Sequence, residues 1–168
     1  MRSFIGIVVL VVVLAVCGSV YLRGGNKINQ DQVRALYQRT DLAIAASDDK
    51  PLCEMLSEDY VQTTVTKTET AQAEESHDRA QSCAALAQSM QQLRQLREMF
   101  GGRMPLRYEQ TVGDISIASD GRSAEVEVSA IVEMAGMRMV SRGRDTVERR
   151  RWRTYLTSSR AVTHVGRM

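Results

Sequence analysis

Residues 114–147 run DISIASDGRSAEVEVSAIVEMAGMRMVSRGRDTV. In the middle, Ala124, Val126, Val128, Ala130, Val132 and Met134 share one parity, and Glu125, Glu127, Ser129, Ile131 and Glu133 share the other. Side chains of a strand point alternately to opposite faces, so this pattern predicts a strand with one buried face. Asp120-Gly121 before it is a strong hairpin signal, because both central residues of a type I′ turn need positive φ. Ala135-Gly136 predicts a second tight turn. The stretch therefore specifies an antiparallel sheet with one apolar face.

The register follows from the two turns. Ile117 falls opposite Ala124 and Ile115 opposite Val126, while Met134 meets Met137 and Val132 meets Met139, all on the apolar face. On the other face Glu133 meets Arg138, Ile131 meets Val140 and Glu127 meets Arg144. Cross-strand charge pairs contribute only ~0.2–1 kcal/mol each, but a one-residue slip would lose both and turn the apolar set outward. Upstream, Leu106, Tyr108 and Val112 alternate out of phase with Ile115 and Ile117, which predicts a bulge at Gly113. Downstream, the odd positions become Asp145, Arg149, Arg151 and Arg153, whereas Trp152 and Leu156 are even. A second phase change is expected after Met139. A turn at Thr157, Ser158, Ser159 and Arg160 would then lead into a last strand over residues 161–165.

The N-terminal half reads as helical. Asn29 or Asp31 can cap a helix with apolar positions Val33, Leu36, Tyr37, Thr40 and Ile44. Asp48, Asp49 and Pro51 stop it and start a second helix carrying Leu52, Met55 and Leu56. Tyr60 to Val65 is β-branched and reads as a strand, followed by a Thr-rich loop. A long helix is expected over residues 71–100, with a small-residue stripe of Ala73, His77, Ala80, Ala84 and Ala87 beside Cys83, Leu86, Met90, Leu93 and Phe100. Gly101-Gly102 ends it.

Before these elements, residues 4–22 are nineteen positions without a charge, between Arg2 and Arg23. At 1.5 Å per residue this length just spans a hydrocarbon core of roughly 30 Å. An uncleaved signal anchor is the reading adopted, since no A-x-A site is present. Cleavage near Cys17-Gly18-Ser19 and a lipid anchor at Cys17 remain open, the latter against a Val16 where Gly, Ala or Ser would be usual. The expected organisation is an anchor or transmembrane helix over 1–23, a flexible tether over 24–30 and one α+β domain over 31–168. The location that follows is a bacterial inner membrane crossed once, with the C-terminal domain in the periplasm or extracytoplasmic space.

Helix, helix, strand, long helix and a meander of long strands resembles the nuclear-transport-factor-2-like superfamily, which includes SnoaL-like proteins and ketosteroid isomerase. The matching features are the helix over 33–44, the break at Asp48-Asp49, Leu56-Ser57-Glu58-Asp59-Tyr60, and Asp120-Gly121 with its Ala124-Glu125-Val126 continuation. The resemblance covers residues 28–165. It implies a curved antiparallel sheet wrapped around N-terminal helices as a cone, with a pocket lined by Tyr37, Tyr60, Asp145, Trp152 and His164. Laid on the isomerase pattern, Asp41 or a neighbour stands where the oxyanion-binding Tyr belongs, and Thr63, Thr64 or Val65 where the catalytic Asp belongs. An enolising base must be a carboxylate within reach of its proton, so the resemblance carries no isomerase chemistry. In the cone the two helices holding Cys53 and Cys83 share one side of the sheet, and an even pair in an exported domain is expected to be oxidised.

Other chemistry is sparse. His164 could pair with Asp145 as a dyad, and His77 reads as a packed or rim residue. No metal-ligand spacing, nucleophile elbow or phosphate loop is present, and neither metal nor cofactor is expected. The charge of +2 says little about partners, although 19 of the 22 basic residues are Arg. Arg142, Arg144, Arg149, Arg151 and Arg153 form the densest run: a solvated face paired with Glu125, Glu127, Glu133 and Glu148, or an anion-binding surface for phospholipid headgroups or an acidic partner. Nucleic acid is not expected, because Trp152 alone offers little stacking. The expected role is a membrane-anchored binding or assembly module, including a subunit of an envelope complex. Its partners would be the membrane, a small apolar ligand or an envelope protein, and a second copy through the sheet. The alternative is a SnoaL-like small-molecule enzyme. If the faces are assigned correctly, Val128→Glu should unfold the domain and Glu127→Val should be mild, a difference read directly in denaturant melts.

Overall fold

The computed structural model describes residues 11–19, 21, 25–102, 106–134 and 136–167. Residues 11–19 are helical. After them come α1 (Gln30–Ala46), α2 (Asp49–Glu54), β1 (Leu56–Lys67), β2 (Gln72–Asp78), α3 (Arg79–Met99), β3 (Leu106–Ile117), β4 (Ser123–Met134), β5 (Met137–Arg150) and β6 (Arg153–Arg167). The six strands form one curved, unclosed sheet in the order β2-β1-β6-β5-β4-β3. The expected meander is present with its predicted pairs: Ile117 opposite Ala124, Met134 opposite Met137, Glu127 opposite Arg144 and Glu133 opposite Arg138. The β3–β4 register shifts between Val112 and Ile115, where the bulge at Gly113 was expected.

The first turn keeps its register by a different route. Only Gly121 is left-handed (φ 66°), and Ala118 and Ser123 close a four-residue loop around it. The two-residue turn with two positive φ values lies instead at Arg151 (48°) and Trp152 (70°), between β5 and β6. Ala135 lies outside the described residues.

Four expectations are corrected. The sheet is mixed, because β1 runs parallel to β6. The long helix begins at Arg79, since Gln72–Asp78 forms an edge strand on β1. Asp78 and Gln81 make a reciprocal capping box at that start. Helix formers such as Ala73 and Glu74 are drawn into a strand by the β-branched partner segment, where tertiary pairing outweighs propensity. The Ala stripe is not the packing face either. Ala80 and Ala84 are exposed, and α3 packs through Ser82, Leu86, Met90 and Leu93. No phase change follows Met139: β5 keeps its odd positions inward and buries Asp145 and Val147. The phase changes in β6, where Thr157 is the extra residue between Leu156 and Ser158, so residues 157–160 are strand rather than turn.

The segment before α1 is docked. The Trp152 amide donates to Gly25 O (2.7 Å), the Arg151 amide to Asn26 Oδ1 (2.9 Å) and the Ile28 amide to Gly121 O (2.8 Å). Gly25 is buried, and a Cβ there would lie 2.6 Å from the Trp152 indole nitrogen. The flexible tether expected over 24–30 is therefore held from Gly25 onward. Among the described residues no helix is long and apolar enough to cross a membrane. Residues 4–10, 20 and 22 of the expected span lie outside them.

Asn29 caps α1 through a capping box with Gln32, and left-handed Ser47 ends it. Val33, Leu36 and Tyr37 then face Ala124, Val126 and Val147 in the main core. A second cluster of Ala43, Leu52 and Met90 joins α1, α2 and α3. Cys53 and Cys83 form a disulfide across α2 and α3, with Cα atoms 5.2 Å apart. Closing a loop of 30 residues stabilises by roughly 3–4 kcal/mol in the chain-entropy model. Reduction should lower the melting temperature of the wild type and leave Cys53→Ser/Cys83→Ser unchanged; two alkylatable thiols in the oxidised domain would contradict the bond.

Candidate functional site

The inner face of the sheet gathers three of the predicted pocket residues. Asp145 points inward from β5, the Tyr37 hydroxyl of α1 donates to its Oδ2 at 2.7 Å, and Ser159 lies cross-strand from it on β6. Tyr60, 4% exposed, adds its phenol from β1, and Asp145 itself is only 8% exposed. Burial raises the Asp145 pKa above the ordinary carboxylate value, opposed by hydrogen bonds from Ser159 and Tyr37. Burial also raises both phenols, with the Asp145 charge adding to it, and Tyr60 is pushed up to about 12. The cluster is closed and internally hydrogen-bonded.

The other predicted residues lie elsewhere. His164 is exposed on β6 opposite Val140, five positions along from the strand partner of Asp145, so the structure does not bring the dyad together. Trp152 caps the β5–β6 turn, 47% exposed, with the Tyr21 ring 5.9 Å away and the Arg149 guanidinium 5.7 Å from its ring centre. His77 is half-buried on β2 opposite Gln62.

The arginine run divides between two places. Arg142 and Arg144 are on the outer sheet face, in a groove of about 530 Å³ with Thr111, Glu127 and Arg160. Arg144 there is ion-paired to Glu125 and Glu127, each at 3.1 Å. Arg149, Arg151 and Arg153 are at the turn end of the domain. Two adjoining clefts there, of about 680 and 380 Å³, share Glu54, Arg153 and Tyr155. Arg79, Arg150 and Arg151 line the larger, and Arg39, Arg149 and Trp152 the smaller. Arg150 is committed to Asp59 (3.0 and 3.1 Å) and Glu148, and its hydrogen bonds hold Asp59 down at about 2. Among the described residues Arg39, Arg149, Arg151 and Arg153 have no carboxylate within ion-pair distance. Arg39 and Arg79 were missed by sequence reading, since each lies on a helix far from the run in sequence and joins it only through the fold.

A fourth cavity, of about 330 Å³, opens between the C-terminal end of α1 and β3, lined by Asp41, Ile44, Tyr108 and Gln110. The Tyr108 hydroxyl donates to Gln110 Oε1 at 2.6 Å. Burial raises the pKa of both Asp41 and Tyr108, and the Asp41 charge raises Tyr108 further.

Among solved structures the chain resembles a scytalone dehydratase-like protein from Novosphingobium aromaticivorans, with a TM-score of 0.58 and 12% identity over 82% of this chain and 86% of that one. A protein of unknown function from Pseudomonas putida gives a TM-score of 0.55 at 13% identity, covering 79% of this chain and 84% of that one. The Pseudomonas putida protein is itself nuclear-transport-factor-2-like. The fold is nuclear-transport-factor-2-like. A second Novosphingobium aromaticivorans protein of this fold matches with a TM-score of 0.53 at 20% identity, over 79% of this chain and 80% of that one. No family model and no curated protein matches the sequence. Identities this low establish the nuclear-transport-factor-2-like fold, and the fold alone carries no activity.

The buried pair has a pH signature. Because the folded pKa of Asp145 is raised, the folded state holds the proton more tightly than the unfolded chain. Stability therefore falls as pH rises from the ordinary carboxylate range through the folded value, and the full penalty persists above it. Asp145→Asn, which keeps an acceptor for Tyr37, should match or exceed wild-type stability at neutral pH and lose that standing as the pH drops toward 4. Tyr37→Phe should cost about 1–3 kcal/mol by leaving a buried acceptor short of a donor. Urea unfolding at two pH values checks both; a pH-independent difference for Asp145→Asn would contradict the buried-carboxylate assignment.

Proposed function

We propose that this chain is a binding module held at a membrane surface by its N-terminal apolar segment, and that it performs no catalysis at the centre of its cone. The observation that carries this reading is the contrast between the two polar centres. The Tyr37–Asp145 pair is buried and hydrogen-bonded, which leaves a substrate no access to its carboxylate. The arginine clefts beside Trp152 are open, and among the described residues several of their guanidiniums have no carboxylate partner. Unpaired surface arginines retain their hydrogen-bonding capacity for an outside anion. The anchor is supported by nineteen uncharged residues, 4–22, and by a disulfide between α2 and α3 that suits an oxidising compartment.

A second reading, a small-molecule enzyme, is favoured by the cavity that Asp41 and Tyr108 share. A carboxylate and a phenol with raised pKa values in one open cleft are the kind of pair that general acid–base chemistry uses. A small molecule that co-purifies with the domain and is lost in Asp41→Asn would favour it.

The anchoring is tested on the mature full-length chain. Mass spectrometry should find residues 4–22 still attached, and the protein should stay with the membrane through alkaline extraction. A new N-terminus at or after Cys17, with or without lipid, would overturn the signal-anchor reading.

A further inference from the structure

We propose that the cleft formed by Arg39, Arg149, Arg153 and Trp152 binds the phosphate headgroup of an anionic phospholipid in the membrane that anchors the chain. The inference rests on the anchored reading above and assigns the ligand of that module. Arg39 comes from α1, Arg149 from the end of β5 and Arg153 from the start of β6. Together they line a cavity of about 380 Å³ with Glu54 as its one lining carboxylate. None of the three is ion-paired among the described residues, and the buried Nε of Arg149 has no hydrogen-bond partner. A buried donor without an acceptor costs free energy until one arrives, and a phosphate oxygen is the acceptor that suits guanidinium groups.

Position selects lipid as the source of that phosphate. The chain enters the domain beside this cleft, because Gly25 is hydrogen-bonded to Trp152. The apolar segment ends at Leu22, three residues earlier, and three residues reach at most roughly 10 Å. A bilayer's polar zone extends roughly 5–8 Å beyond its hydrocarbon on each side, so the cleft is held at headgroup depth. Tyr21 and Trp152, in ring contact at 5.9 Å, supply the aromatic pair that membrane interfaces favour. The turn bearing Trp152 holds two non-glycine residues at positive φ, a strained conformation that persists only where its surroundings impose it. The docked residues Gly25 and Asn26 are those surroundings, so the segment that enters the membrane also shapes the cleft.

Trp152 is the only tryptophan in the chain, which makes its emission a direct reporter. The full-length chain is placed in phosphatidylcholine nanodiscs, and phosphatidylglycerol is substituted in increasing proportion. Emission should change saturably with phosphatidylglycerol. In Arg39→Gln/Arg153→Gln the apparent affinity should fall about thirtyfold, the loss expected for two surface arginines, while Arg160→Gln in the outer groove should behave as wild type. Equal emission in both lipids, or a response untouched by the double substitution, would overturn the proposal. So would the same saturable change when inorganic phosphate is added to phosphatidylcholine discs, since the site would then take free phosphate. Incorporation into discs is scored before any lipid is varied. A chain that does not insert overturns the anchoring alone, and the cleft is then tested in solution with short-chain phosphatidylglycerol.

Discussion

A carboxylate in a protein core must be met by donors, and that requirement determines how α1 sits on the sheet. Removing an ionised carboxylate from water costs several kcal/mol unless hydrogen bonds replace its hydration. Asp145 is turned inward by the uninterrupted alternation of β5, so facing elements have to supply those donors. Tyr37 does so from α1 and Ser159 from β6. Apolar packing of Val33 and Leu36 against Val126 and Val147 gives most of the driving force, but such contacts tolerate sliding. A hydrogen bond of 2.7 Å tolerates little, and it ties helix position to strand register in one contact.

The other end of the domain is governed by backbone strain rather than burial. Arg151 and Trp152 both occupy the left-handed region, at a cost of order 1–3 kcal/mol each. That cost is offset by backbone and side-chain acceptors from Gly25 and Asn26, and by the packing of Trp152 against Gly25, Tyr21 and Arg149. The Arg150–Asp59 pair ties the same end of β5 to the start of β1. The chain segment before the first domain helix is thus a structural part of the turn, and the arginine clefts on either side depend on it.

Where local pattern and tertiary pairing agree, the fold was legible. The alternation over Ala124 to Met134, the pairs it implies and the bulge at Gly113 follow from the period of a pleated strand, which neighbours cannot alter without exposing the apolar set. The errors have physical causes. Residues 72–78 carry helix-forming Ala, Gln and Glu, and only the edge of β1 makes them a strand; the capping pair Asp78 and Gln81 was the signal that would have placed the start of α3 correctly. The phase of β5 was misjudged because its later odd positions, Asp145 and Arg149, are charged while Trp152 and Leu156 are even, and the donor that lets Asp145 point inward, Tyr37, stands 108 positions away. Parity shows that a side chain points inward. It does not show which partner awaits it.

The arginine surface was harder to read for a related reason. A run of arginines in sequence looks like one patch, yet alternation and a turn send Arg142 and Arg144 to the outer face and Arg149, Arg151 and Arg153 to the end. There the arginines acquire company that sequence spacing cannot show, Arg39 from α1 and Arg79 from α3. Carboxylates decide what remains available. Arg144 and Arg150 are held by Glu125, Glu127, Asp59 and Glu148 and serve the sheet, whereas Arg39, Arg149 and Arg153 around Trp152 have no carboxylate within ion-pair distance among the described residues. Different members of one run therefore do different things: some are tied to the sheet, and the side chains without a carboxylate among the described residues lie nearest the docked segment at Gly25 and Asn26.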